Sequence, residues 1–215
     1  MISSKVLSEF LGTAGLLIVV VGSGIMGETL ASGNSAVALL ANSLATGAGL
    51  YALIQTFGPI SGAHFNPAVS FIEWKWKKLS TRDFLKYLSA QVLGAIVGVF
   101  LTHAMFGQAI LQLSTTNRTE FRFFLSEIIA TFGLILVIAL SGKKNVFATP
   151  SAVALYITSA YWCTSSTSFA NPAVTIARSL TNTFSGILWT GSFGFIIAQL
   201  VGATIAYKIS KVLSA

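Results

Sequence analysis

The segment His64-Phe65-Asn66-Pro67-Ala68-Val69 decides the fold, because its core returns 105 positions later as Asn171-Pro172-Ala173-Val174 in a chain of 215 residues. Pro lacks the N–H that the first turn of a helix leaves unbonded anyway, and Asn is a preferred N-cap, so Asn-Pro-Ala reads as a helix start. Both starts follow chain rich in Gly and Ser and lie between apolar stretches long enough to cross a bilayer. A ten-residue helix rises about 15 Å, half of a hydrocarbon core about 30 Å thick. The segments 66–76 and 171–180 are therefore too short to cross. Two such starts meeting at mid-membrane make a polar centre between two positive dipole ends, which is the pattern of a pore.

Composition sets the class. Charged residues make up 9% of the chain, against about 25% in ordinary soluble proteins, while 54% are hydrophobic and the mean hydropathy is +0.79. Too little polar surface remains for a soluble domain. The pattern predicts six spans, at 6–26, 36–57, 84–106, 122–141, 147–163 and 187–209, plus the two half-spans. The stretch from Val6 to Met26 has no conspicuous small-residue cleavage site and reads as a first span rather than a removed signal. No Pro/Gly linker divides the chain, so 1–215 is one transmembrane domain. The single Cys163 excludes an internal disulfide framework and reads as a packing residue. No metal or cofactor site is expected.

Charge orients this layout. Lys5, Lys75, Lys77, Lys78, Arg82, Lys86, Lys143, Lys144, Lys208 and Lys211 fall on one side, and Arg118, Arg122 and Arg178 on the other. The positive-inside rule makes the first side cytoplasmic, with both termini there, in a multi-pass protein of the cell (inner) membrane. The net charge of +7 is thus a topology signal and not a nucleic-acid stripe.

An internal repeat accounts for the doubled motif. Ser8-Glu9 opens a segment whose Thr13, Gly15, Leu16, Val19, Ser23 and Gly24 recur after Ser126-Glu127 as Thr131, Gly133, Leu134, Val137, Ser141 and Gly142. Ala90-Gln91-Val92-Leu93-Gly94-Ala95 likewise pairs with Ala198-Gln199-Leu200-Val201-Gly202-Ala203. The halves, about 1–110 and 118–215, hold three spans each, so they insert with opposite orientation and place the site at their interface. Irregular backbone at membrane depth survives only where protein buries it or where it lines an aqueous path. Gly58–Phe65 and Cys163–Ala170 are expected to be such stretches, with carbonyls exposed as an acceptor ladder.

These features together resemble the major intrinsic protein family, the aquaporins and aquaglyceroporins, over nearly the whole chain. The resemblance implies six helices and two half-helices around one pore per subunit, a homotetramer in the bilayer, and passage of water and small neutral solutes without enzyme activity. It assigns Asn66, Pro67, Ala68, Asn171, Pro172 and Ala173 to the pore centre. Glu9 and Glu127 become buried acceptors bracing the two re-entrant loops, with His64 bracing and lining the first.

The departures from the family carry the functional information. Water-selective members build a narrow filter from a Phe, a His, a small loop residue and an Arg directly after the second Asn-Pro-Ala. Counting without gaps from each Asn, those positions are Thr46, Ser159, Ser168 and Val174. The expectation is a wide, uncharged, partly hydroxyl-lined filter. The stretch from Ser168 to Leu180 is similar to a bacterial subgroup often encoded beside arsenic-resistance genes, which implies conduction of arsenous acid as well as polyols. Arg178 lies a turn beyond Val174 and is read as a vestibule charge; Glu73 occupies the matching place after Asn66. A water-selective channel is the alternative. A junction-forming structural member would need blocked filter positions or a protruding loop. An intramembrane hydrolase is disfavoured, since no Gly-x-Ser-x-Gly elbow occurs and neither His64 nor His103 has a Ser partner by spacing.

Overall fold

The computed structural model describes residues 3–141 and 147–214. Among these are eight helices and no strand: α1 (Ser4–Leu30), α2 (Ser35–Ser61), α3 (Pro67–Lys75), α4 (Thr81–Met105), α5 (Phe121–Ser141), α6 (Ala148–Cys163), α7 (Pro172–Arg178) and α8 (Trp189–Leu213). Five of them (α1, α2, α4, α5 and α8) are long and apolar enough to cross a bilayer. The sixth crossing, α6, has 16 residues, a rise of about 24 Å. The half-helices α3 and α7 have 9 and 7 residues. The chain is an all-α membrane fold of six crossings and two half-helices in an inverted repeat.

Starts and stops follow local chemistry. Ser3, Asn34 and Ser80 cap α1, α2 and α4 with side-chain oxygens. Asn66 and Asn171 cap α3 and α7, with Pro at the first position of each. The long helices overrun the expected spans by a few residues. Gly58–Ser61 in particular stays helical through Pro59, and irregular backbone begins only at Gly62, which ends α2 in the left-handed region at φ +90°. Lys143, Lys144 and Gly142 lie outside the described residues.

Packing repeats across the two halves. Helix α1 packs on α2 and α4, α5 packs on α6 and α8, and α2 meets α6 between them. The tightest backbone approaches between helices rest on matched glycines: a Cβ at Gly94 would collide with the Phe10 carbonyl, and one at Gly202 with the Ile128 carbonyl. In lipid there is no hydrophobic drive between helices, so such close backbone contact holds them together. Leu93, Leu155, Ile197 and Val201 are exposed on the outside of the bundle, as a lipid solvent permits.

Candidate functional site

Glu9 and Glu127 are fully buried, each in the interior of its own half. Glu9 Oε1 accepts from Ser61 Oγ (2.7 Å) and the His64 N–H (3.0 Å), and Oε2 accepts from the Phe65 N–H (2.7 Å) and Gln91 Nε2 (2.8 Å). Glu127 repeats the pattern with Ser166 Oγ (2.6 Å), the Phe169 N–H (2.9 Å), the Ala170 N–H (2.8 Å) and Gln199 Nε2 (2.6 Å). Four donors per carboxylate is near its full accepting capacity. Gln91 and Gln199 also reach Ser70 Oγ and Thr175 Oγ1 on the half-helices, at 2.8 and 2.9 Å.

These acceptors hold two strained loops. Gly62, Ala63 and Phe65 have φ of +90°, +50° and +48°, and their counterparts Thr167, Ser168 and Ala170 have +63°, +50° and +47°. A non-Gly residue in the left-handed region is uncommon and costs roughly 1 kcal/mol or more. Five such residues persist because each carboxylate fixes the neighbouring N–H groups.

At the centre the loops bond across to each other. Asn66 Nδ2 donates to the Ala170 carbonyl at 2.7 Å and Asn171 Nδ2 to the Phe65 carbonyl at 2.8 Å. Each Asn Oδ1 meanwhile caps its own half-helix through the N–H of Ala68 or Ala173, at 2.9 and 3.0 Å. An amide nitrogen carries two hydrogens, so each Asn keeps one N–H for the cavity that both asparagines line.

That cavity, about 290 Å³, is lined from Glu73 at one end to Arg178 at the other. Leu16, Val20, Leu50, Ile54, Leu134, Ile138, Val153 and Ile157 line it with apolar side chains from α1, α2, α5 and α6, while His64 and the loop residues 62–66 and 168–171, together with Thr46 and Tyr161 one turn along α2 and α6 from Leu50 and Ile157, bring polar groups to it. Thr46 Oγ1 and Tyr161 Oη share a hydrogen bond of 3.2 Å. Ser168 Oγ is buried and has no partner among the described residues.

Of the residues singled out from the sequence, Asn66, Asn171, Thr46, Ser168, Val174, His64 and Arg178 come together on this cavity. Pro67, Ala68, Pro172 and Ala173 are buried in the first turns of the half-helices without lining it, Glu9 and Glu127 brace the loops without lining it, and Ser159 is not among the lining residues. The Ser159 side chain is exposed and its hydroxyl donates to the Tyr156 carbonyl at 2.8 Å. The reason is helical register. Val153, Ile157 and Tyr161 recur every four residues on the cavity face, and a residue two places from Tyr161 is rotated by about 200°. The Ser159 side chain, reached by ungapped counting from Asn171, thus lies off the cavity, and the α6 residue that lines it nearest that place is Tyr161.

Arg178 also differs from a solvated vestibule charge. It is 2% exposed, its Nε donates to the Ser185 carbonyl, and its guanidinium lies 3.4 Å from the Phe169 ring centroid. Arg118, in the loop before α5, approaches the same ring at 5.4 Å and donates to the Gly186 and Ser166 carbonyls. Burial draws the Arg118 guanidinium below its ordinary range, with Glu127 opposing the shift. The cavity is therefore not uncharged at this end.

Sequence reasoning missed Tyr161, Phe169, Arg118 and the bonding roles of Ser61, Ser166, Gln91 and Gln199. The two Gln were visible as repeat partners, and that recurrence was the available signal. His64 is tied through Nδ1 to Ser70 Oγ at 2.9 Å and its ring packs edge-on against Tyr87.

Comparison with known proteins agrees with this geometry. The profile of the major intrinsic protein family matches residues 1–164. The chain is 48% identical over 210 residues to aquaglyceroporin AqpS of Rhizobium meliloti (strain 1021), covering 98% of this chain and 90% of that one. It is 32% identical over 235 residues to aquaporin AqpM of Methanothermobacter marburgensis, covering 95% of each. The X-ray structure of the aquaglyceroporin from Plasmodium falciparum superposes with a TM-score of 0.75 over 98% of this chain and 96% of that one, and at 24% identity it shows a shared fold. With a family profile over most of its length and a close relative along nearly all of it, the chain belongs to the major intrinsic protein family.

Proposed function

We propose that the chain is a passive transmembrane channel for water and small neutral solutes of glycerol size, with no enzyme activity and no ion coupling. The observation that carries this reading is a cavity lined by both channel asparagines, in which apolar side chains of four helices meet the hydrogen-bonding groups of the two loops. A polyol or a neutral trihydroxy acid such as arsenous acid presents hydroxyls on one side and little polarity on the other. The loop carbonyls, the spare Asn66 and Asn171 N–H groups, Ser168 Oγ and the Thr46–Tyr161 pair supply the exchange partners that replace its water. The name of the Rhizobium relative points the same way.

The filter of this reading is Thr46, Tyr161, Ser168 and Val174, with Arg178 a turn further out as the charge that repels cations. The centre is Asn66, Pro67, Ala68, Asn171, Pro172 and Ala173, and Glu9, Glu127 and His64 brace its loops. The halves are about 1–110 and 118–215. The protein sits in the inner membrane with both termini cytoplasmic, and it assembles as a homotetramer.

A second reading, a water-selective channel, is favoured by the bulk of Tyr161. Stopped-flow light scattering of proteoliposomes separates the two. Fast water-driven shrinkage followed by reswelling in glycerol, urea or arsenous acid supports the first reading. Water flux with exclusion of every solute of that size supports the second. Protonophore-sensitive uphill accumulation would overturn both.

A further inference from the structure

Seven residues beyond each channel asparagine stands a charged residue that lines the cavity, Arg178 after Asn171 and Glu73 after Asn66. The two are not equivalent electrostatically. The C-terminal end of a helix carries partial negative charge and favours cations, so Arg178 at the last position of α7 is well placed. Glu73, two residues before the end of α3, faces the wrong dipole end.

The chain just beyond builds a counter-charge onto it. The Lys78 N–H donates to the Glu73 carbonyl at 3.0 Å and the Lys77 N–H to the Trp74 carbonyl at 2.9 Å. This is the six-to-one and five-to-two pattern of a Schellman turn. Its left-handed position, usually Gly, is held by Lys77 at φ +60°. The turn carries the Lys78 ammonium back to 3.4 Å from Glu73 Oε1 and 4.7 Å from the Trp76 ring centroid. The Glu73 side chain is 14% exposed and that of Lys78 is 63% exposed. The carboxylate thus faces the conduit while its counter-ion sits at the water.

We propose that Glu73 and Lys78 are a charge-discriminating pair at the α3-side mouth, in which Lys78 cancels a carboxylate field that otherwise draws small cations into the conduit. The inference rests on the reading of the chain as a neutral-solute channel. It makes this mouth a second charge barrier, separate from Arg178. Without Lys78 the unpaired carboxylate raises the local cation concentration; with both groups removed the mouth is neutral again.

The test is potassium leak from proteoliposomes, with glycerol-driven swelling measured on the same vesicles to report folded channel. The set is wild type, Lys78→Gln, Lys78→Glu, Glu73→Gln and the double variant Glu73→Gln/Lys78→Gln. Coulomb attraction to one unpaired charge at a partly solvated site predicts a leak about three- to tenfold above wild type for Lys78→Gln. It predicts a larger leak for Lys78→Glu and a return to within about twofold of wild type in the double variant. Glu73→Gln alone leaves the leak at or below the wild-type level. A wild-type leak in swelling-competent Lys78→Gln and Lys78→Glu vesicles overturns the proposal, as does a double variant as leaky as Lys78→Gln. Absence of glycerol swelling in wild-type vesicles overturns the solute-channel reading instead.

Discussion

In the proposed filter Tyr161 is the residue on which selectivity is expected to turn, since it brings both bulk and a hydroxyl to the cavity that Ser159 does not line. Tyr161→Ala opens that wall and releases Thr46 from its 3.2 Å bond. The expected outcome is a glycerol-to-water flux ratio raised by about three- to tenfold, whereas Ser159→Ala, on the far face of α6, changes neither flux beyond about twofold. Stopped-flow measurements of both variants check the assignment, and a larger effect at Ser159 reverses it. Charge at the outer end is tested by a second pair. Val174→Arg places a guanidinium inside the filter and is expected to cut glycerol flux several-fold. Arg178→Ala removes a positive charge that repels a cation about 8 Å away by roughly 2 kcal/mol at an effective dielectric near 20, so proton or potassium leak in planar bilayers is expected to rise. Glu127→Ala strands four buried donors at about 1–3 kcal/mol each. Loss of solute flux together with a lower melting temperature in detergent is the expected result, and normal flux would remove Glu127 from its bracing role.

Among the elements, the half-helices and their caps were legible in the sequence because Asn and Pro act through their own backbone neighbours, a purely local effect. The long helices were legible for the same reason, since twenty apolar residues have few other solutions in lipid. Register across α6 was not. Which face of a uniformly apolar helix meets the pore depends on packing against α2 and α5, and a short stretch of chain before Asn171 shifts it without any local sign. The partners of Arg178 were equally invisible, because Phe169 of the second re-entrant loop and the Ser185 carbonyl of the loop after α7 reach it only in the folded chain. Helix contact itself was readable in part: Gly94 and Gly202 recurred in the paired Ala-Gln segments, and each admits a neighbouring carbonyl where a side chain has no room. Gly94→Val and Gly202→Val are both expected to separate the helix pairs, at a cost of at least about 1–3 kcal/mol from overpacking. Size-exclusion profiles and melting curves should show the same loss in each, and a tolerated Val at either glycine contradicts the close approach.

For the whole molecule, the charge asymmetry of the sequence predicts an orientation that labelling can check. In a Cys163→Ser background, Gln108→Cys lies in the loop after α4 and Arg82→Cys at the start of that helix, both exposed. A membrane-impermeant thiol reagent applied to intact cells is expected to label Gln108→Cys at once and Arg82→Cys only after permeabilisation. The reverse result inverts the topology. The crossed bonds of the centre reach further than selectivity. Asn66 donates to a carbonyl of the second loop and Asn171 to a carbonyl of the first, so each loop is latched by a group that the other half of the polypeptide supplies. Synthesis proceeds from the N-terminus, and the first loop therefore waits in the membrane with its amide unengaged until residue 171 has emerged from the ribosome. Conduction is in this sense a property of the finished chain: a truncated product inserts helices but has no latch to close, and fragments 1–110 and 118–215 made separately in one cell should regain solute flux only when both are present.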